Sequence, residues 1–319
     1  MILKPRTLLV YAKTKMGKTS NLKMLAKYLH AKHGWRTRLI SSDGGGYRPF
    51  NDSDDLIGKG IVEVFDNTNR EFALADIHRL ADGNWPNSKG ELERDDNFTK
   101  NRAYLAKTLE KAEVGCYMIE GVTSLSETLL THFSDRLAQG PVGFKASWSY
   151  QEEEYAVAGM DKGHFGIVQR ELHKVIVKGF GQLPVKLVVW TAKPRLGIDK
   201  DSGGEPAFGP EGAGIADTTR IPSWFESCIH IDSLKAKVKK GDSLEERELR
   251  VAWYQKHETQ AFISGIPTMV PYLAGSSCPA ERYLEMLKRF PGGFVQLGFD
   301  RGIDKYVEFL ESIDEKENK

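Results

Sequence analysis

One stretch near the amino terminus constrains the fold more than any other part of the chain: Ala12-Lys13-Thr14-Lys15-Met16-Gly17-Lys18-Thr19. It follows a short apolar run, residues 7–11, that is typical of a buried strand. It precedes residues 20–33, where apolar side chains recur at helical spacing and Gly34 supplies a stop signal. A strand, a loop containing Gly-Lys-Thr and a helix form the context in which a phosphate-binding loop occurs. The usual pattern begins with Gly, and Ala12 is a permitted variant at that place.

Each part of this loop has a predicted chemical task. Loop N–H groups and the helix N-terminus would face the phosphates of a nucleoside triphosphate, with ATP as the expected ligand. Lys18 would neutralise the β- and γ-phosphates, and the Thr19 hydroxyl would hold Mg²⁺. The residues predicted to bind the nucleotide are Ala12, Lys13, Thr14, Lys15, Met16, Gly17, Lys18, Thr19 and Ser20.

Acidic residues end several predicted strands. Residues 115–121 form an apolar strand that ends at Glu120, and in enzymes with a phosphate loop an acid at this place holds Mg²⁺ through water. Asp43 and Asp66 end two earlier strands, and either could orient the attacking water. Thr191 ends a later strand, residues 185–191, and is a candidate sensor of the γ-phosphate.

The bulk composition excludes some classes of protein. The chain has 319 residues, 45 Lys and Arg against 44 Asp and Glu, and a net charge of +1, so any binding to nucleic acid must use a local patch. Cys116, Cys228 and Cys278 are far apart and form no metal-type or redox-type pair. There is no apolar signal segment and no run of membrane-spanning length. The sequence therefore predicts a soluble protein with reduced thiols, located in the cytoplasm (of the host, if the protein is viral).

Strand and helix patterns alternate from residue 7 to residue 232, which predicts an α/β fold with a mostly parallel sheet and helices on both faces. A β-hairpin is predicted at 234–255. The expected domain is 1–258, with a C-terminal extension containing helices at 259–319. Residues 140–162 and 193–219 are predicted to be loops. One helix is expected over residues 98–112 and another over 280–290.

The order of these features resembles the RecA-like ATP-binding proteins encoded by bacteriophages, some of which act in recombination and single-strand annealing. The resemblance covers about residues 5–235 and includes the phosphate loop, the strands ending at Asp43 and Glu120, and the Thr191-Ala192-Lys193 strand end. It implies a Mg²⁺-dependent ATPase that acts with DNA and forms homo-oligomers with shared nucleotide sites. It also favours Asp43 as the acid that activates water. Relatives often carry His where this chain has Lys193, so a sensing His is not expected.

Three segments are candidates for contact with single-stranded DNA. Trp148 and Tyr150 in segment 140–162 could stack on bases, or could pack against the domain. Segment 193–219 carries Lys193 and Arg195, which could also reach a neighbouring subunit's nucleotide site. On the hairpin, Lys235, Lys237 and Lys239 share one face and could either contact phosphates or protect an exposed strand edge.

Two alternatives to a DNA-linked ATPase remain. The first is a structural or assembly protein that uses bound nucleotide as a switch with little turnover. The second is a kinase with a phosphate loop, which usually needs an Arg-rich lid. Arg195 and Arg220 are the only arginines between residues 193 and 220, which disfavours the kinase.

Overall fold

The computed structural model describes the backbone of residues 4–42, 46–52, 54–68, 73–139, 145–150, 153–158, 162–199, 205–214, 220–240, 243–253 and 295–296. Asp43 and the predicted helix at 280–290 lie outside the described residues. The predicted division at residue 258 stays a prediction.

A mostly parallel sheet is the centre of the fold. Among the described residues, it contains eight strands in the order β12-β11-β10-β1-β7-β4-β2-β3. The six from β10 to β3 are parallel, while β11 and β12 run antiparallel to their neighbours. The strands of this sheet are β1 (Arg6–Ala12), β2 (Arg36–Ser41), β3 (Val62–Asp66), β4 (Val114–Glu120), β7 (Leu187–Ala192), β10 (Ser227–Lys240), β11 (Ser243–Trp253) and β12 (Val295–Gln296).

Helices cover both faces of the sheet, and the side chains of β1 show why. Leu8, Val10 and Ala12 pack on one face against the apolar side of α1, whereas Leu9 and Tyr11 point to the other face. That other face is packed by α2, α4, α5 and α6. The helices are α1 (Lys18–His33), α2 (Ala73–Ala81), α3 (Asp96–Lys100), α4 (Arg102–Lys111), α5 (Val122–Gln139) and α6 (Lys162–His173), and α6 continues as a π-helix over Lys174–Gly179 and a 3-10 helix over Phe180–Gln182. The predicted α/β class is confirmed.

The predicted helix over 98–112 is in fact two helices, α3 and α4. They are separated at Asn101, whose side chain accepts a hydrogen bond from the Tyr104 N–H at 3.1 Å and so caps α4. Two shorter 3-10 helices, Arg48–Asn51 and Ile221–Trp224, complete the described helical segments.

Two segments predicted to be loops contain hairpins. Segment 140–162 includes β5 (Lys145–Tyr150) paired antiparallel with β6 (Glu153–Ala158). Segment 193–219 includes β8 (Pro194–Asp199) paired with β9 (Glu205–Pro210). Cross-strand pairing stabilises these segments despite their Gly and Pro residues, which is why a local reading of the sequence missed them.

The third hairpin was predicted, but its strands are longer than expected. β10 begins at Ser227 and β11 begins at Ser243. Because Ile231 pairs with Ala12 at the end of β1, residues 232–240 extend past the edge of the sheet where the phosphate loop begins. No helix in the described part of the chain is long and apolar enough to cross a membrane.

Candidate nucleotide site

The loop between β1 and α1 has the backbone form of an anion-binding concavity. Lys15 and Gly17 are left-handed, with φ of 67° and 90°, and residues that alternate in hand turn successive N–H groups inward. Lys15 is strained here, because the left-handed backbone conformation costs a residue with a side chain about 1–2 kcal/mol. The first turn of α1 carries no acidic residue, so its N-terminal partial charge is available to a phosphate.

Lys18 folds back across this loop. Its Nζ donates to the Ala12 carbonyl at 2.8 Å and to the Lys13 carbonyl at 3.3 Å. The ammonium group therefore lies within the loop that the sequence assigned to phosphate, at the start of α1. Phosphate oxygens can replace these neutral acceptors with stronger, charge-assisted bonds.

Thr19 and Glu120 meet although they are 101 residues apart in sequence. The Thr19 hydroxyl donates a hydrogen bond to Oε1 of Glu120, whose side chain is buried at 3% exposure. The sheet order explains the contact: β4 is two strands from β1, about 10 Å away at normal strand spacing. The N-terminus of α1 and a long carboxylate together cross that gap.

Gly46 packs directly against this carboxylate. A Cβ placed on Gly46 would lie 2.0 Å from Oε2 of Glu120 and 3.1 Å from Oγ of Ser41. A side chain at this position would push the carboxylate aside, so Gly46 leaves the space in which the Glu120 carboxylate lies. No local signal in the sequence indicated this contact.

The segment after Gly46 is fastened to α1 by ion pairs. Lys23 contacts Asp52 and also Asp54, the latter at 2.6 Å, and Lys27 contacts Asp54 at 3.1 Å. Hydrogen bonds from Lys23 lower the pKa of both carboxyls. Both carboxylates are accessible to solvent, so the pairs orient the segment more than they stabilise it.

Thr191 lies beside Glu120 and is fully buried. The two residues pair across β4 and β7, and the Thr191 hydroxyl accepts a hydrogen bond from the Gly121 N–H at 3.1 Å. This bond holds the turn that follows Glu120. The sensing role predicted for Thr191 stays a prediction.

Thr123, three residues after Glu120, is a residue that the sequence analysis missed. Its hydroxyl accepts from the Lys193 N–H at 3.0 Å and donates to the Glu211 carbonyl at 3.2 Å. Lys193 and Glu211 are the two feet of the β8–β9 hairpin and are joined by a backbone bond of 2.7 Å. One side chain at the start of α5 therefore ties the base of that hairpin to the turn that carries Glu120. Its short distance from Glu120 along the chain was the only sequence signal.

The two candidate water-activating acids have different positions. Asp43 is outside the described residues. Asp66 ends β3, four strands from β1 and so about 19 Å away at normal strand spacing. Its Oδ1 accepts from the Thr68 N–H at 3.0 Å and so caps the turn after β3. This geometry disfavours Asp66 as a group that acts on the γ-phosphate.

Two of the three lysines in the row on the third hairpin lie opposite glutamates in the strand pairing. The β10–β11 register places Lys235 opposite Glu248 and Lys237 opposite Glu246, while Lys239 lies opposite Leu244. Directly opposed residues in an antiparallel pair share a face. The same face carries Arg250, which lies opposite Ser233, so the two glutamates offset part of the positive charge of the face and weaken its attraction for a polyanion.

The oxygen donors present suit Mg²⁺. Thr19 and Glu120 offer a hydroxyl and a carboxylate oxygen at one point, and Mg²⁺ in nucleotide sites needs only one or two protein oxygens beside phosphates and water. Among the residues that the structure describes, no group of three or more His, Cys, Asp or Glu side chains is arranged to hold a metal by itself.

Comparison with known proteins gives distant structural likeness and no sequence match. No protein-family model matches the chain, and no curated protein sequence matches it. Among solved structures, the chain is similar to a KaiC-like protein from the hyperthermophilic archaeon Pyrococcus horikoshii, with 13% sequence identity, 79% of each chain covered and a TM-score of 0.37. So distant a likeness says nothing about what this chain binds.

Proposed function

We propose that this chain is a Mg²⁺-dependent ATPase of the RecA-like type that acts with DNA and assembles with itself. The observation that carries the proposal is the contact between Thr19 and Glu120 beside a loop in which Lys18 crosses the predicted phosphate position. Cation, hydroxyl and carboxylate thus converge at one helix N-terminus. This is the set of groups that phosphoryl transfer from a nucleoside triphosphate requires.

Each of the residues at this site would have its own role in nucleotide binding and hydrolysis. Loop N–H groups and Lys18 bind the β- and γ-phosphates and offset the charge that grows on them as the bond to the γ-phosphate breaks. Thr19 and Glu120 would hold Mg²⁺, Glu120 through water, and the bound ion would supply further positive charge to offset that of the phosphates. Asp43 is proposed to orient the attacking water, with Thr191 as the γ-phosphate sensor.

The proposals about DNA and self-assembly rest on the β8–β9 hairpin. The β8–β9 hairpin leaves the end of β7, next to the nucleotide site, where ligands of open α/β sheets gather. Lys193 and Arg195, at its first foot, are the cations placed to reach a neighbouring subunit. A nucleotide-switched assembly protein with little turnover is the second candidate, because the same contacts would bind nucleotide without hydrolysing it.

A binding experiment tests the nucleotide site itself. Lys18→Ala should abolish binding of a fluorescent ATP analogue, while the circular dichroism spectrum and melting temperature stay close to those of the parent. Lys32→Ala, at the exposed far end of the same helix, is the matched control and should bind normally. A folded Lys18→Ala protein with unchanged affinity would refute the assignment of the loop.

Turnover and assembly separate the two candidate functions. ATP hydrolysis should depend on Mg²⁺, rise with single-stranded DNA and be lost in Glu120→Gln, while nucleotide binding is retained. Sedimentation with a non-hydrolysable analogue should show larger species than without it. Nucleotide-driven assembly with no turnover, with or without DNA, would favour the switch protein.

A further inference from the structure

A second candidate site lies away from the phosphate loop. It is a cleft of about 760 Å³ between α2, α6 with its π-helical continuation, and the 3-10 helix Ile221–Trp224. That 3-10 helix precedes the amino end of β10, where Glu226 bonds to Thr7 near the start of β1. The cleft is therefore at the opposite end of β1 from the nucleotide site. Its lining is His78, Ala81, Asp82, Gly166, Gln169, Arg170, Glu171, His173, Lys174, Val175, Lys178, Gly179, Arg220 and Trp224.

The charges in this cleft favour an anion. The lining has four Lys or Arg side chains and two acids, an excess of two positive charges with the histidines neutral. One of the acids, Glu171, is already engaged, because its Oε1 contacts His78 Nε2 at 2.8 Å and Lys174 Nζ at 3.2 Å. Arg170 and Arg220 each make one bond, to the Gly166 carbonyl and the Gln169 amide oxygen, and keep other N–H groups for a ligand.

Three of the cations form a row. Arg170, Lys174 and Lys178 are spaced by four residues along α6 and its π-helical continuation, and all three line the cleft. A nucleic-acid strand carries one phosphate per nucleotide, so a single strand can contact several cations of such a row at once. A small anion would not need a row of this length.

The opposite wall supplies a flat apolar surface. The Trp224 indole is half-buried and meets the His173 ring edge-on, with centroids 5.2 Å apart. Bases of a single strand stack on such side chains without regard to sequence. The π-helix in the first wall is a second unusual feature, since π-helical turns are rare and occur frequently at functional sites. There Gly179 approaches α2 so closely that a Cβ would lie 2.7 Å from that of Ala81.

We propose that this cleft binds single-stranded nucleic acid, with Arg170, Lys174, Lys178 and Arg220 on its phosphates and Trp224 against a base. The inference deepens the proposed DNA-linked function and rests on it in part. It moves the main contact away from the β10–β11 hairpin, where glutamates face the lysine row. It does not depend on the phosphate loop.

The test compares two double variants in the full-length chain. Arg170→Gln/Lys178→Gln removes two cations from the row, and Lys107→Gln/Lys111→Gln removes two exposed lysines from α4. Fluorescence anisotropy with a labelled oligothymidylate is measured over a salt series. Losing two phosphate contacts should reduce the log–log salt slope by about 1.4 and weaken binding by about 25-fold at 0.1 M salt.

The outcomes distinguish failure of the cleft proposal from failure of the proposed ATPase function. The α4 variant should bind like the parent, and a cleft variant that does the same would overturn the proposal, as would a parent that binds no oligonucleotide at low salt. A fluorescent ATP analogue is titrated into the same samples. ATP binding that depends on Lys18, together with no effect of the cleft variant, would reject the cleft alone. Loss of oligonucleotide binding in the cleft variant, without ATP binding by the parent, would support the cleft and reject the ATPase.

Discussion

Replacing Gly46 by Ala should weaken Mg²⁺ binding at a residue that would itself touch neither metal nor nucleotide. The added Cβ would lie 2.0 Å from Oε2 of Glu120, whereas ordinary van der Waals contact begins at 3.4 Å. The carboxylate, or the Gly46 backbone, must therefore move by about 1.4 Å. A shift of that size in the carboxylate takes Oε1 out of hydrogen-bond reach of the Thr19 hydroxyl.

The expected size of the effect follows from the role of a residue that orients a metal ligand. Loss of such a residue typically costs 10–100-fold in metal affinity, or about 1.4–2.7 kcal/mol. Nucleotide affinity without Mg²⁺ should stay within about two-fold of the parent value, because Lys18 and the loop N–H groups are untouched. The measurement is a Mg²⁺ titration of a bound fluorescent ATP analogue.

The chain provides a matched control for this substitution. Gly166 is a helical glycine whose Cβ would meet nothing within 4 Å, so Gly166→Ala makes the same chemical change in open space. An unchanged Mg²⁺ midpoint in a folded Gly46→Ala protein would refute the reasoning. The effect must also be non-additive with Glu120→Gln, because Gly46 is argued to act only through that carboxylate.

Two further predictions concern Thr123 and the buried thiols. Thr123→Val keeps the side-chain shape but removes both hydroxyl bonds at the base of the β8–β9 hairpin. Amide hydrogen exchange at Lys193 should therefore accelerate by about 5- to 100-fold, while nucleotide affinity is kept. Unchanged exchange at Lys193 would show that the hydroxyl does not hold the hairpin. Burial raises the pKa of the Cys116 and Cys228 thiols well above the ordinary value, so in a Cys278→Ser variant neither should react with a thiol reagent at pH 8 until the protein is unfolded. Rapid labelling of the native variant would contradict the packing of β4 and β10.

The phosphate-loop region could be predicted from sequence because its signals are local. Strand β1, the loop and α1 follow one another in under thirty residues, and their periodicity, Gly17 and Gly34 lie within that span. Gly34 ends α1 in a left-handed conformation, as its position predicted. Glu120 was found in the same way, as the acid at the end of a buried strand, and the structure places it against Thr19.

The features that were missed depend on pairing between distant residues. Strands β8 and β9 contain Pro194, Gly197, Pro206 and Gly209, which by themselves indicate a loop, and only their pairing makes them strands. The acids opposite the lysine row likewise follow from the β10–β11 register, and a register is set by the turn and the length of both strands.

The sheet order connects the proposed nucleotide site to the β8–β9 hairpin. Strand β7 lies between β1 and β4, so the phosphate loop, Thr191 and Glu120 end three adjacent strands at one edge. Glu120 is followed by Gly121, which bonds to Thr191, and then by Thr123, which bonds to both feet of the β8–β9 hairpin. Any displacement of Glu120 on nucleotide binding must therefore be absorbed within this four-residue turn or passed to the hairpin. These bonds measure 3.0–3.2 Å and are buried or partly buried, so breaking them is costly, and we expect the hairpin to move when Glu120 moves.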